Sequence, residues 1–141
     1  SYSISQNKII IPHYDILGRL VGIRGRALND WEVENIGKYA PIQVEGIWYK
    51  HPLSMNLYGL DRTYMNIRRN GICYLFESEK SVLQAYTFGI FNLVAVGCHS
   101  LSDNQMDLLK YNVDTITIMY DKDVDEDEVI KNLLDNAENK G

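Results

Sequence analysis

Carboxylates crowd one short stretch of this chain. In "MYDKDVDEDEVI", Met119 to Ile130, six of the eight positions from Asp121 to Glu128 are acidic, and the stretch follows the apolar run "VDTITI". Such a cluster suits a hard divalent cation, which prefers oxygen ligands. A calcium loop of the helix-loop-helix kind needs Gly at its sixth position and a closing Glu at its twelfth. Counted from Asp121 these are Glu126 and Asn132, so that chemistry is excluded. Asp125 to Glu128 read more simply as the acidic first turn of a helix, since Val129, Ile130, Leu133 and Leu134 follow at helical spacing. Asp121 and Asp123 stand instead at a strand exit, where ligands gather in open α/β sheets. A third carboxylate, Glu77, closes an earlier apolar run, "GICYLFES". Three carboxylates on one sheet rim would hold one or two divalent cations and serve phosphoryl chemistry.

The elements that must carry these residues alternate. "GICYLFES" (71–78) reads as a buried strand, and "EKSVLQAYTFG" as a helix with Val82, Leu83 and Tyr86 on one face and a stop at Gly89. "FNLVAVG" is a second strand, "SDNQMDLLKYN" a helix capped by Ser102 or Asp103, "VDTITIMY" a third strand, and 125–138 a last helix. This order predicts parallel βαβ units, whose strand ends share one rim. Upstream, "KIIIPHYDILGRLVGIRGRAL" reads as two strands joined at Leu17-Gly18, and "APIQVEGIWYKHPL" as a hairpin through Glu45-Gly46. A short helix from Leu60 to Arg69 follows. The expected fold is α/β: a parallel βαβ part over 71–141 preceded by a smaller, mainly β (α+β) basic part over 1–70.

With 141 residues, 45% apolar and 23% charged, the chain is sized for one folded unit with a core. It has no apolar run of membrane-spanning length, and "SYSISQNK" has no signal-peptide pattern, so a cytoplasmic setting is expected. Cys73 and Cys98 make neither a disulfide framework nor a zinc site, and read as free thiols. The net charge of -5 is uneven: residues 1–70 balance at +3 and residues 71–141 at -8. A basic half that holds a polyanion and an acidic half that holds cations would show this split, as would two unrelated solvated faces.

The order of Glu77 in "YLFESEKSVLQAY", then "VAVGCHSLSDNQMDLL", then "ITIMYDKDVD" resembles the Toprim domain of bacterial replicative primases, type IA and II topoisomerases and some nucleases. "KIIIPHYDILGRLVGIRGRAL", "KYAP" and "LYGLDR" resemble the segment that precedes Toprim in the RNA polymerase core of bacterial-type and phage-type primases, so the resemblance covers about residues 8 to 135. It implies a Toprim-like parallel sheet and a DNA-directed RNA polymerase activity, the metal-dependent synthesis of RNA primers by nucleotidyl transfer. It also implies Mg²⁺ or Mn²⁺ at Glu77, Asp121 and Asp123. Arg26 and Lys38, with Arg24, Lys50 and His51 as further candidates, would hold template and nucleotide phosphates. The implied partners are single-stranded DNA template, nucleoside triphosphates and primer RNA, with a replicative helicase contacted through regions outside this stretch. The family's zinc module precedes this region and its helicase-contacting part follows it, so an isolated catalytic-core piece is expected.

Two departures stand out: Ser78 and Ser81 occupy positions where the family often has Gly and Asp, and Glu79 is the nearest acid that could substitute. Two other readings stay open beside primer synthesis. One is a Toprim nuclease or topoisomerase working on the same carboxylates, and the other a degenerate, non-catalytic nucleic-acid-binding module. Trp31, Trp48 and the ten tyrosines could stack bases, but core and hairpin packing is the default expectation, and His13 is expected as a strand residue with a satisfied ring.

Overall fold

The computed structural model describes residues 2–3, 8–98 and 100–119, which separate into two units between Pro52 and Leu53. In the first unit an antiparallel sheet runs β1 (Tyr2–Ser3), β2 (Lys8–Tyr14), β3 (Leu20–Ala27), β4 (Tyr39–Pro41). Asp15 closes the β2–β3 turn by accepting from the Leu17 and Arg19 amides at 3.0 and 2.9 Å and from Arg19 Nε at 2.8 Å. These bonds, the Arg19 amide foremost, hold its carboxyl below the ordinary value. Gly18 takes the positive φ, 80°, that the turn requires. Two glycines of β3 do a different task. A Cβ on Gly22 would collide with the His51 ring, and one on Gly25 would lie 2.5 Å from Ile42 Cδ1 and 2.8 Å from Lys8 Cδ, so both let neighbouring side chains lie flat on the strand.

Between β3 and β4 sits α1 (Asp30–Asn35), an element the sequence reading passed over. Its signal was Asn29 followed three residues later by Glu32: the Asn29 side chain accepts from the Glu32 amide at 2.8 Å and donates to Glu32 Oε1 at 3.3 Å. The hairpin through Glu45-Gly46 forms as expected, with β5 (Gln43–Val44) paired to β6 (Ile47–Trp48). Both turn residues have positive φ, 51° and 81°, the pattern of a type I′ turn. Trp31 and Trp48 are corrections to the sequence reading. They are 66% and 60% exposed, because a six-residue helix and a six-residue hairpin have no layer behind them to receive an indole.

The second unit begins with a 3-10 turn over Leu53–Met55 and α2 (Leu60–Asn70), which the sequence reading grouped with the basic half but which packs on the parallel sheet. The sheet order is β8 (Leu93–Ala95), β7 (Ile72–Phe76), β9 (Thr115–Ile118), all parallel, with α3 (Glu79–Thr87) and α4 (Asp103–Leu109) as crossovers. Cys73, Leu75, Phe76, Leu93 and Val94 are fully buried, as a strand pair covered on both faces demands. Val82 and Ala85 join this core with Glu79 and Ser81, whereas Leu83 is 37% exposed: the buried stripe of α3 lies about a quarter-turn from where the Val82, Leu83, Tyr86 pattern put it. Gly89 follows α3 with φ 78°, as its stop signal required. The helix expected over 125–138 lies outside the described residues.

Gly59 opens α2 with φ 89°, and a Cβ there would lie 2.8 Å from the Tyr86 hydroxyl. That hydroxyl is buried and has no hydrogen-bond partner among the described residues. The Tyr86 ring stacks on Phe91 at 5.4 Å and faces the Arg62 guanidinium at 5.5 Å. Burial pushes its phenol from 10.0 up to about 12. A folded-state value above the unfolded one gives stability that is complete below pH 10 and is lost as pH rises through 12. Tyr86→Phe removes an unsatisfied hydroxyl, so it should unfold at an equal or higher urea concentration at pH 7 and lose less stability between pH 9 and 11. Urea titrations of both proteins at each pH test this.

Candidate active site

Strand order β8-β7-β9 places the reversal of the chain between β7 and β9, and ligands bind beyond the carboxyl ends of strands at such a point. Glu77 is the first residue after β7 and directly precedes Ser78, the N-cap of α3. Three backbone bonds fix that strand end: Met119 N to Leu75 O at 2.8 Å, Val96 N to Phe76 O at 2.9 Å and Gly97 N to Glu77 O at 2.9 Å. The half-buried Glu77 thus sits on the rim to which β9 delivers the chain at Met119. Asp121 and Asp123 follow in sequence and lie outside the described residues, as does His99. Among the described residues no three His, Cys, Asp or Glu side chains cluster as metal ligands, so Glu77 is the one described member of the carboxylate set.

The neighbours of Glu77 explain the two departures. Ser81 is fully buried and its hydroxyl lies 3.5 Å from that of Ser78. Glu79 is 1% exposed and turned inward, near enough to Tyr58 to add to the rise in that phenol's pKa, which burial causes first and Arg62 opposes. Glu79 therefore does not extend the carboxylate rim. Cys73 is buried, and burial pushes its thiol up to about 12.

Sequence reasoning missed the residue that ties this rim together. Gln105 is fully buried in α4, and its Nε2 lies 2.9 Å from Leu53 O, 2.8 Å from Asn56 O and 2.9 Å from Val96 O. Its Oε1 accepts from Ser102 N at 3.0 Å, while Ser102 Oγ accepts from Gln105 N at 3.1 Å and donates to Ser54 O at 2.5 Å. One side chain thus caps α4, holds the 3-10 turn and grips the Val96–Gly97 peptide, whose N–H bonds the Glu77 carbonyl. The Ser-x-x-Gln spacing announced the cap, but its further bonds arise from tertiary contacts.

In the first unit, pairing brings Arg24 and Arg26 together and sets the Lys38 backbone beside the same strand. Arg24 and Arg26 share one face of β3, Arg26 is opposite Tyr39, and Lys38 precedes Tyr39 with its carbonyl bonded to Ala27 N at 2.9 Å. The Arg24 guanidinium lies 5.1 Å from the centre of the Tyr39 ring. Arg26 Nε is buried with no hydrogen-bond partner among the described residues, an orphan donor on this face. Lys38 and Lys50 are exposed. His51 differs: its ring rests on Gly22, 4.8 Å from the ring of His13, which is 2% exposed.

Comparison with known proteins gives this arrangement relatives. No protein-family model matches the chain. It is 43% identical over 117 residues to the SPbeta prophage-derived uncharacterized protein YorJ of Bacillus subtilis (strain 168), matching 81% of this chain and 31% of that protein. It is 31% identical over 122 residues to a DNA primase of Staphylococcus aureus (strain COL), 86% of this chain and 19% of the primase. Among solved structures it superposes on the Aquifex aeolicus primase (zinc-binding and RNA polymerase domains) with a TM-score of 0.68 and 27% identity, over 89% of this chain and 30% of that one. A DnaG primase catalytic domain bound to ssDNA shares the fold, with a TM-score of 0.65 and 22% identity over 83% of this chain and 36% of that one. The chain thus spans about a third or less of the curated relatives it matches.

Gln105→Leu keeps the volume of the clamp and removes its polar atoms. It withdraws the two N–H donors shared among three carbonyls, and the acceptor of the Ser102 N–H, at about 1–3 kcal/mol for each group that stays buried and unsatisfied. A net loss of about 3 kcal/mol is expected, read as a lower urea midpoint with an unchanged slope.

Proposed function

We propose that this chain, which matches a segment of the bacterial-type DNA primase catalytic core in sequence and in fold, supplies the part of a primase that holds metal, template and nucleotide. The observation that carries the reading is Glu77 on the switch-point rim of a primase-like parallel sheet. Asp121 and Asp123, two and four residues beyond the point where β9's last described bond ends, complete its carboxylate set. An all-oxygen donor set of this kind suits Mg²⁺ or Mn²⁺. When bound, such ions neutralise the triphosphate and the departing pyrophosphate and lower the pKa of the attacking hydroxyl.

The reaction is RNA primer synthesis on single-stranded DNA: a 3′-oxygen bonds the α-phosphorus of an incoming nucleoside triphosphate, the bond to the β-phosphate oxygen breaks, and pyrophosphate leaves. Glu77 takes the hydroxyl proton. Within residues 1–70, Arg26 and Lys38 hold template or nucleotide phosphates, with Arg24 and Lys50 beside them, and the orphan Arg26 Nε supports that role. His51, whose ring packs on Gly22 of β3, is the weaker candidate beside them. Residues 71–141 hold the metal. A helicase partner and the rest of the primase reaction belong to regions that the relatives have beyond the matched segment. The setting is cytoplasmic, in keeping with the lack, among the described residues, of any helix long and apolar enough to cross a membrane. The relatives named above are primases or carry no stated activity, and none of them is a nuclease or topoisomerase.

Calorimetric titration with Mn²⁺ tests the carboxylates. Wild type should bind Mn²⁺ and then bind nucleoside triphosphate more tightly, whereas Glu77→Gln and the Asp121→Asn/Asp123→Asn double variant should lose Mn²⁺ binding by tenfold or more. No Mn²⁺ binding in wild type would make the chain a non-catalytic nucleic-acid-binding module. For the basic face, Arg26→Ala should reduce the slope of log affinity for single-stranded DNA against log salt by about 0.7 for each phosphate that the arginine neutralises. An unchanged slope would remove Arg26 from the phosphate grip.

A further inference from the structure

Two exposed surfaces, one on each unit, carry charge and apolar area that nothing among the described residues answers. The first is the outer side of α2. Leu60, Thr63 and Ile67 are buried, so the opposite side of the helix carries Arg62, Met65 and Arg69 at i, i+3 and i+7, with Arg68 beside them. Met65 is 60% exposed. Arg62 stands 4.0 Å from Asp61 and is held over the Tyr58 and Tyr86 rings at 5.9 and 5.5 Å. Arg68 and Arg69 are exposed and make no ion pair or hydrogen bond among the described residues. The second surface is formed by α1 and the β5-β6 hairpin. Ile36, directly after α1, and Trp48 of β6 line one cleft of about 450 Å³ with Ala40 and Pro41, so the two elements are neighbours. Trp31, Ile36, Ile47 and Trp48 are all more than half exposed. The charge here is acidic: Asp30, Glu34 and Glu45 are exposed without an ion pair or hydrogen bond among the described residues, and Lys38 is the one basic residue between positions 28 and 48.

We propose that these surfaces bind each other between copies of this chain, head to tail: the Met65 stripe of one copy seats on the α1 and hairpin surface of the next. Charge decides the pairing. Two acidic surfaces brought together would set Asp30, Glu34 and Glu45 of one copy against the same acids of the other, and two α2 stripes would oppose arginine to arginine. The mixed contact alone gives each group an opposite charge. Met suits the apolar part, because its unbranched thioether adapts to an irregular cleft, and arginine meets carboxylates with a fixed fork of donors. A contact between unlike surfaces leaves one of each free on every pair, so assembly continues as a chain or closes as a ring. The area covered is that of two short elements, at the small and weak end of protein interfaces, so association depends on concentration and on salt. It requires neither metal nor nucleic acid and stands apart from the primase reading.

Sedimentation equilibrium of the full chain, up to millimolar concentration, tests this. The average mass of wild type should rise above that of the monomer, and on the order of tenfold more protein should be needed for the same mass when NaCl is raised from about 0.05 to 0.5 M. Met65→Ser should weaken association tenfold or more. The double variants Arg68→Glu/Arg69→Glu and Glu34→Lys/Glu45→Lys should each stay monomeric alone. Mixed in equal amounts they should associate as wild type does, because each reversed surface then meets its complement. A variant that merely failed to fold would not be rescued by mixing. The proposal is overturned if wild type is monomeric throughout, if either double variant alone associates as wild type does, or if the mixture stays monomeric.

Discussion

Strand β7 is hydrogen-bonded along both edges, and the second unit is arranged around that fact. At its start the Gly71 carbonyl accepts from Asp114 N at 2.7 Å and Thr115 N at 3.0 Å; at its end Leu75, Phe76 and Glu77 accept from Met119, Val96 and Gly97. Glu77 therefore owes its position to backbone bonds from two neighbouring strands. A carboxylate that must meet a metal gains from such support, because its side chain starts from a fixed backbone position. The Gln105 clamp continues the same logic one peptide further out, bonding the Val96 carbonyl on the side away from Phe76.

The first unit solves a different problem with glycine. Its third strand does this on both faces: Gly25 receives Lys8 and Ile42 on one, and Gly22 receives His51 on the other, which it shares with Arg24 and Arg26. Because strand residues alternate faces, Lys8 and Ile42 at Gly25 lie opposite the two arginines, whereas His51 at Gly22 sits on the arginine face. The Arg24 guanidinium lies over the Tyr39 ring on one face, and a cleft bordered by Lys8, Ile36 and Trp48 opens on the other.

How much of this was legible in the sequence depended on whether a signal was local. The βαβ rhythm, the Glu45-Gly46 hairpin, the Ser102 cap and the stop at Gly89 were legible because each rests on adjacent residues and their φ preferences. Strand β4 and helix α1 were not read: "KYAP" has only three paired residues, and the Asn29 cap precedes a helix with no buried residue, so no apolar stripe marked it. The expectation of core and hairpin packing for Trp31 and Trp48 failed as to burial, because hydrophobicity says nothing of whether a covering layer exists. Glu77 was found from its place after an apolar run. Gln105 was invisible, since its partners at Leu53, Asn56 and Val96 come from segments that only the folded chain brings together.

The double pairing of β7 also has a temporal side. The strand is complete at Phe76, but its second neighbour ends only at Ile118. At a synthesis rate of about 5–20 residues per second, an uncharged run of five residues keeps one edge open for roughly 2–8 s. Open apolar edges recruit other chains. Arg68 and Arg69 stand shortly before this strand and Glu77 immediately after it, so charges bracket the segment while its partner is still being made. The carboxylate that marks the rim in the folded protein is, during those seconds, a guard against self-association of the nascent chain.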